Sequence, residues 1–200
     1  MVHTKKRQPY RSQMQPNPVF LRFFRGLPPA GRMLDLGCNT GPEVRYAGMH
    51  GWTVDACDVD AEAIAELNAF LMANRVTNVY AARCSLQEYL LTTEHRYDLV
   101  QCWNVMHQLR RPDVGLVLAG IHEVLKPGGA IILQVFNEEE RAFWGGEQKR
   151  HCLFRVGEVL EHFPDYKVLE HFAGIIQDPG SPNRPEPHEH AVEHVVLRKP

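Results

Sequence analysis

Met33-Leu34-Asp35-Leu36-Gly37-Cys38-Asn39-Thr40-Gly41 decides the fold of this 200-residue chain. A short apolar run carrying one acid enters a turn with two glycines, and Pro42–Met49 follows with a helical composition. Strand, glycine turn and helix form the opening unit of a parallel α/β sheet, whose ligands sit at the C-terminal strand ends. Gly37 and Gly41 permit positive φ and a close approach of backbone to a ligand. The helix N-terminus offers N–H groups without intrahelical partners to a carboxylate or phosphate. No GK[ST] follows, so this is not a Walker loop, and Asn39 stands where the dinucleotide pattern needs its second glycine.

The same alternation extends outward from this segment. Short apolar runs at Trp52–Cys57, Asn78–Ala82, Asp98–Trp103 and Ala130–Phe136 suit buried strands. Between them, Ile64, Leu67, Phe70 and Leu71 share one face of a helix over Ala61–Asn74. Val114, Leu118, Ile121 and Leu125 do so over Pro112–Leu125, which Lys126-Pro127-Gly128-Gly129 stops. Helix and strand alternate until a helix near Val156–Phe163. Lys167–Ile176 and His190–Leu197 then follow one another with only the proline-rich loop 178–188 between them. Two such strands pair antiparallel. The expected fold is an α/β, Rossmann-like doubly wound, mostly parallel seven-stranded sheet ending in an antiparallel hairpin.

Two carboxylates define the ligand. Asp35 precedes the first glycine, where it would repel a pyrophosphate but hold an ammonium group. Asp58, at the end of the next run, is placed to accept both ribose hydroxyls; the competing use of Asp58 is as a helix cap. A ligand with a ribose, a cation and no phosphate is described by S-adenosylmethionine.

LDLGCNTG, VDACDVD, YDLVQCWNVMHQL and LKPGGAIILQ, in this order over residues 30–136, resemble the motifs of class I S-adenosylmethionine-dependent methyltransferases. HCLFRVGEVLEHFPDYKVLEHF and the ending HEHAVEHVVLRKP resemble the closing segments of the tellurite-resistance type. The resemblance implies that Asp35, Gly37, Cys38, Asn39 and Gly41 hold the methionine part, and Asp58 and Val59 the ribose. It places Trp103 and Asn104 near the methionine and sulfonium, and Cys84, Ser85 and Leu86 beside the adenine. Ser85 stands where such families usually have an acid, and a neutral acceptor is roughly half as strong as a charge-assisted one. The resemblance also makes the N-terminal segment 1–18 an arm that could close as a lid, ahead of a single domain over 19–200.

For the acceptor, His107 follows the fourth strand, and His188 and His190 share a strand face. His107 and His190 are the expected bases if the acceptor is a hydroxyl or amine. Tyr10, Arg11, His107, His188 and His190 are the expected substrate contacts. His188 and His190 could share an ion, while His194 lies too far along the strand to join them; no metal is assigned. The remaining cysteines of the strand ends, Cys57 and Cys102, read with Cys38 and Cys84 as small buried hydrophobes rather than a thiol cluster. Trp144-Gly145-Gly146 reads as a segment able to fold over the pocket.

Composition bounds the partners. The chain is 44% hydrophobic and 23% charged with a formal net charge of −2. Residues 1–34 hold seven basic side chains and no acid, so an acidic body carries a cationic arm. The expected acceptor is a small molecule of the soft or anionic kind, such as a tellurite-like oxyanion or a thiol. Such a nucleophile needs no general base. An RNA or protein substrate docked through the arm, and a non-catalytic cofactor-binding module, stay open as alternatives. A nicotinamide-dependent oxidoreductase is disfavoured by Asp35 and Asn39. Five widely spaced cysteines without a CxxC, no secretory h-region and no apolar window of membrane length point to the cytoplasm, with oligomeric state unread.

Overall fold

The computed structural model describes residues 15–143, 152–180 and 186–200. Its strands are β1 (Arg32–Leu36), β2 (Thr53–Asp58), β3 (Val79–Arg83), β4 (Tyr97–Trp103), β5 (Leu125–Phe136), β6 (Lys167–Asp178) and β7 (His188–Arg198). Its helices are α1 (Pro18–Phe24), α2 (Pro42–Met49), α3 (Ala61–Ala73), α4 (Leu86–Thr92), α5 (Arg111–Val124) and α6 (Glu158–Glu161). The sheet order is β3-β2-β1-β4-β5-β7-β6. β1 to β5 are parallel; β7 runs antiparallel between β5 and β6. The chain reverses its winding between β1 and β4, so the crevice of a doubly wound sheet opens at their tips.

Local chemistry sets the helix starts. Asn17, Asp60 and Ser85 cap α1, α3 and α4 through their side-chain oxygens, each satisfying N–H groups that a helix leaves unpaired. Strand alternation sends Met33 to the layer of α1, α2 and α3, and Leu34 and Leu36 to the layer of α4 and α5. A core fills each face of the sheet, with a fully buried Leu or Ile contributing about 1.5–3 kcal/mol.

The structure departs from the sequence reading at three places. Lys126-Pro127-Gly128-Gly129 does not precede the fifth strand but bulges within it, since Tyr97 pairs with Leu125 and Leu99 with Ala130. Gly128, at φ +76°, turns the bulge. The closing helix is one turn, α6, shorter than the 156–163 expected. α1 and α4 are single short helices of seven residues, too brief for apolar periodicity to announce them.

Candidate active site

The turn after β1 is held by backbone bonds to β2. Gly37 N and Cys38 N both donate to Cys57 O, at 2.8 and 3.0 Å. Gly37 (φ +78°) and Gly41 (φ +67°) are in the left-handed region as expected. The close approach at these glycines is made by protein, however. A Cβ on Gly37 would lie 2.3 Å from Val105 Cγ2, and one on Gly41 2.9 Å from Leu67 Cδ2. The glycines therefore let the loop after β4 and helix α3 close on the turn.

Asp58 braces the same turn from the end of β2. Its Oδ2 accepts from Asn39 N at 2.8 Å and its Oδ1 from Asp60 N at 2.9 Å. The helix cap of α3 is Asp60, not Asp58. Val59, next to it, is 62% exposed, an apolar surface beside the crevice.

Asp35 is 2% exposed and points to the α1–α3 side. Burial pushes its carboxyl well above the usual aspartate range, and the nearby carboxylates of Glu43 and Asp58 push the same way. Gln101, its register partner on β4, hydrogen-bonds the carboxyl and pulls it down. Glu43, in the first turn of α2, is buried and also shifted upward by burial; its Oε1 accepts from Asn17 N (2.8 Å) and Asn17 Nδ2 (2.9 Å). Among the described residues no Lys, Arg or His pairs with Asp35, Glu43 or Asp58. The side-chain oxygen of Gln101, buried beside Asp35, accepts no hydrogen bond among them. A crevice with surplus acceptors and no resident cation fits a ligand that brings an ammonium group. Glu43 and Gln101 were invisible as site residues in sequence, since a helix acid and a strand glutamine carry no spacing that marks them.

The residues that the resemblance sets beside the adenine follow β3. Ser85 Oγ accepts from Glu88 N at 3.1 Å, so the hydroxyl is engaged as a helix cap. Leu86 is buried in the α4–α5 core, and Cys84 packs against it. Cys38 joins the opposite core, while Cys57 and Cys102 are fully buried. Burial pushes all three of these thiols above their ordinary range, so none is a thiolate near neutral pH. Trp103 lies tilted against His194 with ring centroids 5.9 Å apart, and Asn104, at φ +57°, has its Oδ1 held by Gln134 Nε2 at 2.7 Å.

The hairpin end gathers the histidines. His107, buried in a 3-10 turn after β4, packs its ring 4.4 Å from that of Phe136. The other side of that ring system is His190, 4.9 Å from Phe136 and 4.6 Å from His188. His190 Nδ1 lies 2.8 Å from Glu140 Oε1, and Glu140 Oε2 accepts from Ala191 N at 2.7 Å. Glu140 is fully buried; nothing in Glu138-Glu139-Glu140 distinguishes it by sequence. His194 is separate, between Trp103 and Phe172 and bonded to Glu170 at 3.1 Å. Tyr10, Arg11 and Trp144-Gly145-Gly146 lie outside the described residues.

A parallel sheet closed by an antiparallel hairpin, with acids at the tips of its first two strands, defines the Rossmann-like methyltransferase fold. Residues 34–131 match the methyltransferase domain family Methyltransf_12. S-adenosylmethionine is the cofactor of that class. An uncharacterised methyltransferase of Synechocystis is 30% identical over 105 residues, 52% of this chain and 47% of that protein. The ubiquinone biosynthesis O-methyltransferase of Aeromonas salmonicida is 25% identical over 112 residues, 56% of this chain and 46% of that protein. The match thus spans about half the length of these relatives. TehB from Haemophilus influenzae shares the fold with a TM-score of 0.81 at 18% identity, over 92% of this chain and 63% of that one. The N-methyltransferase NodS from Bradyrhizobium japonicum, solved with S-adenosyl-L-homocysteine, gives 0.67 at 18% identity over 91% and 84%. No helix among the described residues is long and apolar enough to cross a membrane.

Proposed function

We propose that this protein transfers a methyl group from S-adenosylmethionine to a small-molecule acceptor of soft or anionic character, a thiol or a tellurite-like oxyanion. The observation that carries the reading is the buried pair Asp35 and Gln101, with acceptor oxygens and no cation beside them among the described residues. In this reading Asp35 and Gln101 take the ammonium group, Asp58 the ribose hydroxyls, and Val59 flanks the adenine. Gly37, Asn39 and Gly41 shape the turn, and Trp103 and Asn104 line the methionine. The cofactor supplies an electrophilic methyl on a sulfonium; the chain's own task is to align the acceptor and exclude water. His107, Phe136 and His190 form the wall on the acceptor side.

The N-terminal arm as a lid is supported by Asn17, whose two donors on Glu43 tie the arm's root to the crevice. Calorimetric titration with S-adenosylhomocysteine tests the frame. Asp35→Ala and Asp58→Ala are expected to weaken the heat signal; unchanged signals in both variants reject it. An acceptor screen reading S-adenosylhomocysteine then decides among thiol, oxyanion and hydroxyl.

One observation favours a second reading. His190 has its Nδ1 on a buried carboxylate, the arrangement that orients a general base. A hydroxyl or amine acceptor would use it. A turnover rate whose pH dependence is lost in His190→Gln would select this reading.

A further inference from the structure

We propose that Asp178, His188 and His190 form a binding site for one first-row divalent ion of the zinc class. One ligand atom from each lies within 4.8 Å of the other two. Strand pairing sets this spacing. Asp178 ends β6 directly opposite His188, the first residue of β7, and His190 is two residues on, on the same face.

Both rings are oriented as metal ligands are. His190 Nδ1 lies 2.8 Å from Glu140 Oε1, and His188 Nδ1 lies 2.8 Å from the Glu186 carbonyl oxygen. A histidine that donates from Nδ1 carries its lone pair on Nε2, and metal-bound histidines are held this way by a carboxylate or a carbonyl. Glu140 is itself fixed, since its other oxygen accepts from Ala191 N.

His190 Nε2 faces Asp178 Oδ2 across 3.7 Å, beyond hydrogen-bond length. Bonds of about 2.0–2.1 Å in tetrahedral geometry place ligand atoms about 3.3 Å apart. Ion binding would draw the three atoms from within 4.8 Å of one another toward that spacing. Two imidazoles with one carboxylate select a borderline ion over magnesium or calcium. Three protein ligands leave a position open, as catalytic rather than structural sites do.

Phe136 joins this cluster to His107. Resting on the methyltransferase reading, the open position would hold the acceptor as its anion, a thiolate or oxyanion. His190 Nε2 cannot then also take a proton, so this inference and the general-base reading exclude one another.

The full-length chain, without an affinity tag and stripped with a chelator, is dialysed against Zn2+ and separately Co2+. One retained ion per chain is expected, with cobalt absorption of the intensity given by a four- or five-coordinate site. Asp178→Asn and His188→Gln should each weaken retention at least tenfold, and Glu140→Gln by about 10- to 100-fold. Titration of the same variants with S-adenosylhomocysteine checks that they are folded. A wild-type chain that retains no stoichiometric ion overturns the site, as does equal retention in Asp178→Asn and His188→Gln. Retained metal with no S-adenosylhomocysteine binding would overturn the methyltransferase reading and leave the ion site standing.

Discussion

Carboxylates are treated in opposite ways at two regions of this molecule. At the tips of β1 and β2, Asp35, Glu43 and Asp58 converge without a basic partner among the described residues, and burial drives Asp35 and Glu43 toward protonation. At the closing hairpin four acids meet histidines: Glu193 with His171, Glu140 and Asp178 with His190, Glu170 with His194. Glu170 is partly buried, which opposes its charge, yet Arg22 and His194 hold its carboxyl below the usual range. The first region holds acceptor oxygens that no basic side chain meets among the described residues. The second pairs its acids with histidines of the same region.

Four measurements can break or sharpen this contrast. The largest effect is expected at the turn that builds the first region. Gly37→Ala must adopt φ +78° and push into Val105. The backbone costs about 1–3 kcal/mol and the overpacking about 1–3 kcal/mol. Denaturant unfolding should register both, and adding Val105→Ala should restore only the second part.

Next, Asp58→Ala should weaken S-adenosylhomocysteine binding by about 10- to 100-fold, from charged hydrogen bonds of about 1.5–3 kcal/mol. An equal loss in Asp178→Asn would erase the distinction between the regions.

The third concerns pH. Asp35 has a folded-state carboxyl raised above its unfolded value of about 3.9. The folded chain therefore binds more protons than the unfolded chain between those two values. By linkage, stability of the ligand-free protein falls as pH rises through that window. Glu170 acts oppositely, contributing stability above the unfolded value that is lost as pH falls through the lowered folded one. Asp35→Asn should flatten the first dependence and raise ligand-free stability near neutrality, while weakening cofactor binding. The wild-type affinity for S-adenosylhomocysteine should rise with pH over the same window, because an ammonium favours the ionised carboxyl. Isothermal titration at several pH values reads this directly.

The smallest effect is at α4. Ser85→Ala removes a cap worth about 1 kcal/mol, seen as a modest fall in melting temperature. Cofactor affinity should change less than tenfold, since the hydroxyl is engaged by Glu88 N. Ser85→Asp keeps the cap and adds charge.

The strand-turn-helix of residues 33–49 was legible because its chemistry is local. Alternation buries Met33, Leu34 and Leu36, and the positive φ values of the turn need Gly37 and Gly41. Asp58 was legible for the same reason: the end of a buried strand in this fold reaches the neighbouring turn, and Asn39 N bonds it. The antiparallel hairpin followed from two strands with no helix between them. Ser85 was legible as a neutral residue where an acid was awaited, but its engagement by the helix behind it was not.

The sequence by itself therefore determined the strand–helix alternation, the sheet's closing hairpin and the places of Asp35 and Asp58 on adjacent strands, since these depend on residue spacing along one or two adjacent elements. Tertiary structure alone decided that Gln101 stands beside Asp35, that Glu43 and Asn17 join the first region, and that Glu140, Asp178 and His190 meet. Asn17 lies 26 residues from Glu43, Asp35 lies 66 from Gln101, and Glu140 lies 50 from His190. Electrostatic deficit and metal-ligand spacing are properties of distance in space, and no periodicity in a chain encodes which distant acid a strand will bring alongside.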